Sequence, residues 1–98
     1  MSFIQIVEYE TGRADEIAAA MNEWSGPTPG ETPGFRRMAV THDRDNPNRY
    51  LLIVEFDTYE QAMENSTKPE TDAMAKQLGS MVTRGPSYHN LDVLETTP

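Results

Sequence analysis

Residues 49–62 read RYLLIVEFDTYEQA, a strand pattern that passes into a helix pattern within a few residues. Tyr50, Leu52, Val54 and Phe56 fall on one face of an extended segment and Leu51 and Ile53 on the other, because successive side chains of a strand point to opposite sides. Two apolar faces mark a strand buried on both sides, which in a small chain calls for a second layer and a second subunit. Asp57 and Thr58 stop the strand, and Thr58 with Gln61 three positions on forms a capping box that opens a helix.

Toward the N-terminus, Phe3 to Glu10 alternates as a first strand, with Phe3, Gln5, Val7 and Tyr9 on one face and Ile4, Ile6 and Glu8 on the other. Thr11-Gly12 breaks it. From Arg13 to Trp24 the period becomes helical, with Ala14, Ile17, Ala18, Met21 and Trp24 as the apolar stripe and Asp15 and Glu16 at the positive end of the helix dipole. The stretch SGPTPGETPG, residues 25–34, is a loop rich in Pro and Gly. Phe35 to Asp43 is a second strand, and Asp45 to Asn48 turns it into the strand at residues 49–56 as a hairpin.

Toward the C-terminus, Pro69 divides the second helical region, with Thr67 and Glu70 as a second capping box. Met74, Leu78, Met81 and Val82 form the stripe of the later helix, Arg84-Gly85-Pro86 ends it, and Ser87 to Glu95 is the last strand, His89, Leu91 and Val93 facing opposite Tyr88, Asn90, Asp92 and Leu94. The order β, α, β, β, α, β predicts an α+β, ferredoxin-like fold, a four-stranded antiparallel sheet with its helices on one face. The other face is expected to meet its counterpart in a second copy, giving a dimeric α/β barrel with an enclosed space between the two sheets.

The chain of 98 residues has room for one domain, residues 1–98. Its net charge of −8, with basic residues scattered, argues against binding nucleic acid or an anionic membrane surface. With no cysteine, thiolate chemistry, disulfides and cysteine-held metals are excluded. No stretch approaches the roughly 20 apolar residues of a membrane span, and the opening MSFIQIVEYE does not read as a secretory leader, so a cytoplasmic protein is expected.

The run NRYLLIVEFDTYEQAMENSTKPET, with an amphipathic helix before it and YHNLDVLE after it, resembles the dimeric α/β-barrel superfamily, and within it the antibiotic-biosynthesis-monooxygenase type of domain. The resemblance implies a homodimer with a cavity for a small hydrophobic or aromatic ligand. It further implies a cofactor-independent monooxygenase acting on an aromatic or polyketide-like molecule, or a non-catalytic ligand-binding or structural dimer. Where heme-degrading relatives carry an asparagine, a tryptophan and a histidine, this chain carries Gln5, Asn65 and Met74, so heme degradation is not expected.

Gln5, Asn65 and His89 are the catalytic candidates, with His89 as a general base if it faces the interior. Trp24, Met74 and Asn90 are the candidates for holding a ligand; Trp24 equally suits closing the core, and Met74 is a neutral thioether on an apolar stripe, suited to packing. His42 beside Asp43 and Asp45 reads as a solvated corner, and neither a metal nor a cofactor is expected.

Overall fold

The computed structural model describes residues 2–98. Four strands, β1 (Phe3–Glu10), β2 (Phe35–His42), β3 (Arg49–Phe56) and β4 (Arg84–Asp92), form one antiparallel sheet in the order β2-β3-β1-β4. Three helices complete the chain: α1 (Ala14–Glu23) after β1, then α2 (Tyr59–Ser66) and α3 (Pro69–Met81) between β3 and β4. This is the ferredoxin-like arrangement the residue pattern predicts.

Register decides which side chains share a face. Gln5 stands opposite Val54 on one side and Asn90 on the other, and Ile6 stands between Ile53 and His89. The face carrying Phe3, Val7, Tyr9, Leu52 and Phe56 is the one the helices cover, and it packs against Ile17, Ala20, Met74, Leu78 and Met81. The opposite face carries Ile4, Ile6, Leu51 and Ile53, all half-buried, and Leu91, 44% exposed. Thus β3 is apolar on both faces, as the sequence reads, but only one face is covered within the chain.

Side-chain hydrogen bonds fix the junctions between elements. Thr11 is buried where β1 ends; its hydroxyl donates to the Met81 carbonyl at 2.7 Å and accepts from the Arg13 N–H at 2.9 Å, tying β1, α1 and the end of α3 together. Thr58 accepts from the Gln61 N–H at 3.1 Å, so the expected cap on α2 forms. The second expected box does not. Thr67 instead donates to the Glu64 carbonyl at 2.7 Å, at the end of α2, and Lys68, extended before Pro69, is the residue that opens α3. The residue before proline is pushed out of the helical region, which moves the helix start one position past the threonine.

Two further boundaries differ from the pattern. On α1 it is Ala20 that is buried and Ala18 that is exposed, so the stripe runs Ile17, Ala20, Met21 and Trp24. β4 begins at Arg84, not at Ser87. Gly85 adopts φ +89, a left-handed conformation that favours glycine, beside an irregularity in pairing between Glu8 and Glu10; a Cβ there would lie 2.7 Å from the Glu8 carbonyl oxygen. Pro86 follows on an edge strand, where a missing N–H leaves no ladder position empty.

Candidate functional site

The buried side chains fall into two clusters. One gathers Val7, Tyr9, Ile17, Leu52, Met74, Leu78 and their neighbours; the other gathers Phe3, Phe56 and Ala62. A cavity of about 430 Å³ lies between sheet and helices, lined from both clusters: Val7, Leu52, Met74 and Leu78 from the first, Phe56 and Ala62 from the second. Its size falls within the range of small-molecule sites, about 300–1,000 Å³. This chamber lies within one chain, on the helix side of the sheet, and is separate from the space expected between the sheets of two copies.

Five of the six candidate residues line this cavity: Gln5, Trp24, Asn65, Met74 and Asn90. Gln5 and Asn90 are cross-strand partners, and the Gln5 Nε2 donates to the Asn90 Oδ1 at 2.9 Å. Asn65, 8% exposed, sits in the last turn of α2, where its backbone carbonyl accepts from the Lys68 N–H; its side-chain amide has no hydrogen bond among the described residues. A primary amide with neither donors nor acceptor engaged is available to a ligand. Met74 belongs to the core cluster and the cavity wall at once.

Trp24 closes α1, and its indole packs on the core and the cavity wall. The loop backbone holds the ring: a Cβ at Gly26 would lie 3.0 Å from the indole Cε3. Its Nε1 is buried with no hydrogen-bond partner among the described residues. A buried N–H without an acceptor costs about 1–3 kcal/mol.

His89 is not brought to this site. Placed opposite Ile6, it lies on the face turned away from the helices, half exposed, with Nε2 3.5 Å from Glu8 Oε1. The physical reason is register: Asn90 pairs with Gln5, whose side chain faces the helices, so its neighbour His89 faces the other way. Around it lies an ion cluster: Arg49 reaches Glu8 at 3.1 Å and Asp43 at 2.8 Å. The Arg49 guanidinium, hydrogen-bonded to each, holds the Glu8 and Asp43 carboxyls below the usual range and is itself held more firmly protonated.

His42 stacks on Tyr50 with centroids 4.5 Å apart, and its Nε2 lies 2.9 Å from the Pro47 carbonyl. Among the described residues no group of three or more side chains of metal-binding type comes together. Burial raises the pKa of Tyr9, which stacks on the other side of Tyr50.

Among the described residues no Lys, Arg or His lines the cavity, and its titratable residues are Asp72, ion-paired with Lys76 at 3.0 Å, and Tyr88, half exposed. Tyr88 and Asp72 escape a reading for catalytic motifs, although the i, i+2 spacing from Asn90 places Tyr88 on the same strand face. The site is thus an apolar chamber with neutral amides in its walls. It can orient a planar ligand and donate hydrogen bonds to an oxygen that gains negative charge.

The comparisons agree with this architecture. The family model described as antibiotic biosynthesis monooxygenase matches residues 3–76, and the chain belongs to that family. Among solved structures, SnoaB, a cofactor-independent oxygenase from Streptomyces nogalater, in an asparagine-to-alanine variant, superposes with a TM-score of 0.81 at 17% identity, over 99% of this chain and 97% of that one. Rv0793 from Mycobacterium tuberculosis superposes at 0.77 and 14% identity over 100% of both chains. A conserved protein from Methanosarcina mazei gives 0.77 at 8% identity, over 93% of this chain and 91% of that one. At such identities the likeness is one of fold. No curated protein matches the sequence. Among the described residues no helix is long and apolar enough to cross a membrane.

Proposed function

We propose that this protein is a cofactor-independent monooxygenase that oxidises an aromatic or polyketide-like small molecule in the cavity between sheet and helices. The observation that carries the reading is the chamber itself: about 430 Å³, walled by apolar side chains, with Gln5, Asn65 and Asn90 as neutral amides and no cationic side chain. Family membership and the cofactor-independent oxygenase among its structural neighbours support it.

In this reading the substrate binds uncharged, gives up a phenolic or enolic proton to water, supplies the electrons itself, and takes a proton back from water once the oxidation is complete. Dioxygen inserts one atom at a ring CH2 and the other leaves as water with the two hydrogens of that carbon, so that CH2 becomes C=O. The Asn65 amide donates to the anionic oxygen, Gln5 and Asn90 orient the ring system, and Trp24 and Met74 hold its faces. His89, on the far face, takes no proton. The test is oxygen uptake by the purified protein, without added metal or flavin, against hydroxylated polycyclic aromatics. Saturable uptake above autoxidation supports the reading, and its absence contradicts it.

A specific observation favours a second reading. The cavity walls hold no histidine, and a chamber without a base near neutrality suits a ligand-binding protein that performs no chemistry. Saturable binding without product distinguishes it.

The homodimer belongs to the same proposal. Ile4, Ile6, Leu51, Ile53 and Leu91 make an apolar patch on the uncovered face, which a second copy of that face would bury. A cytoplasmic protein acting on a diffusible ligand completes the reading.

A further inference from the structure

We infer that the Gln5–Asn90 amide pair makes the cavity selective for an uncharged planar ligand that carries a hydrogen-bond donor and an acceptor side by side on one edge, as a lactam or an enol beside a carbonyl does. The inference rests on the proposal that the cavity receives a small molecule, and adds which kind.

The two residues face each other across β1 and β4, and one bond, Gln5 Nε2 to Asn90 Oδ1 at 2.9 Å, engages one donor and one acceptor. The Gln5 Oε1 and the Asn90 Nδ2 have no other partner among the described residues, and both residues line the cavity. The pair, solvent-accessible at Asn90, therefore offers an acceptor and a donor tethered to each other by one bond. Exchanging the roles of the two amides leaves the same complement, one carbonyl and one NH2, so the pattern does not depend on which amide donates. A ligand edge with donor and acceptor on adjacent atoms satisfies both; a ligand with only acceptors leaves the carbonyl unpaired.

Charge sets the second condition. Among the described residues no Lys, Arg or His stands in the walls, the one carboxylate there, Asp72, is paired with Lys76 at 3.0 Å, and the chain carries −8 overall. A carboxylate ligand would be desolvated with no counter-charge, which the apolar wall does not repay.

The test is binding of three tricyclic probes by fluorescence: phenanthridinone, a lactam; its N-methyl derivative, which lacks the donor; and phenanthrene carboxylate. Wild-type protein is expected to bind the lactam up to about tenfold tighter than the N-methyl compound, the difference one hydrogen bond provides, and to bind the carboxylate weakest. Asn90→Leu and Gln5→Leu, checked for an unchanged melting temperature, are expected to bring the lactam to the level of its N-methyl derivative. A merely structural cross-strand pair would leave that ratio unmoved. Equal binding of the two neutral probes by wild type, a ratio unchanged in Asn90→Leu, or carboxylate binding as tight as the lactam overturns this inference alone. Failure of all three probes and of unsubstituted phenanthrene to bind overturns the cavity reading beneath it.

Discussion

Asn65, in the last turn of α2, lines the chamber, whereas His89, on β4, lies on the sheet face turned away from it. A buried side-chain amide with no internal partner is placed to stabilise a developing oxyanion, and loss of one such donor typically lowers turnover by about 10²–10³-fold. Asn65→Ala is therefore expected to lose turnover by that order while keeping its melting temperature, and His89→Ala to keep turnover; steady-state oxygen uptake reads both. Arg49 offers a test in pH. Glu8 and Asp43 have native pKa values below their ordinary ones, so their pairing stabilises the fold above the usual carboxylate range and is lost as pH falls through the lowered values. Arg49→Met is expected to be less stable than wild type near neutrality, with the gap closing as pH falls below the usual carboxylate range; denaturant melts at pH 7 and pH 3 check it. A gap that widens in acid contradicts the sign. Gln5 and Asn65 are legible as candidates through the family resemblance, whereas the direction of His89 is not: in β4 the side with Leu91 is the more apolar, yet the register turns it away from the helices.

At the scale of elements, the junctions carry stability that periodicity does not reveal. Thr11 satisfies the Met81 carbonyl and the Arg13 N–H together. Thr11→Val, nearly isosteric, is expected to cost about 1–3 kcal/mol by leaving these groups without a partner in a buried place; Thr58→Ala is expected to cost about 1 kcal/mol through loss of the α2 cap. Urea denaturation measures both, and a neutral Thr11→Val would show that water or backbone adjustment replaces the bonds. Strands and helices were legible because apolar residues recur at two or at three and four, and α2 because its cap is local. The cap of α3 and the start of β4 were not. Each depends on a backbone condition, an extended residue before Pro69 and a positive φ at Gly85, that competes with a side-chain motif one or two positions away.

At the scale of the molecule, sheet and helices meet at two core clusters and enclose a chamber between them, while the far face of the sheet stays uncovered. The sequence announces the uncovered face through Leu51 and Ile53 on β3, but not the chamber, since a gap depends on how far apart the packed ends hold the layers. If a second copy covers that face, light scattering gives twice the chain mass, and Ile53→Asp gives a monomer; a monomeric wild type contradicts the dimer. A ligand is expected to enter on the helix side of the sheet. The chain has one tryptophan, so its indole N–H gives a single signal in a nitrogen–proton correlation spectrum. Titrating a hydroxylated polycyclic aromatic into labelled protein is expected to shift the Trp24 indole and the Asn65 side-chain amide more than any signal from a residue facing only the far side of the sheet. Shifts confined to His89, Leu91 and their neighbours on the far face would contradict it.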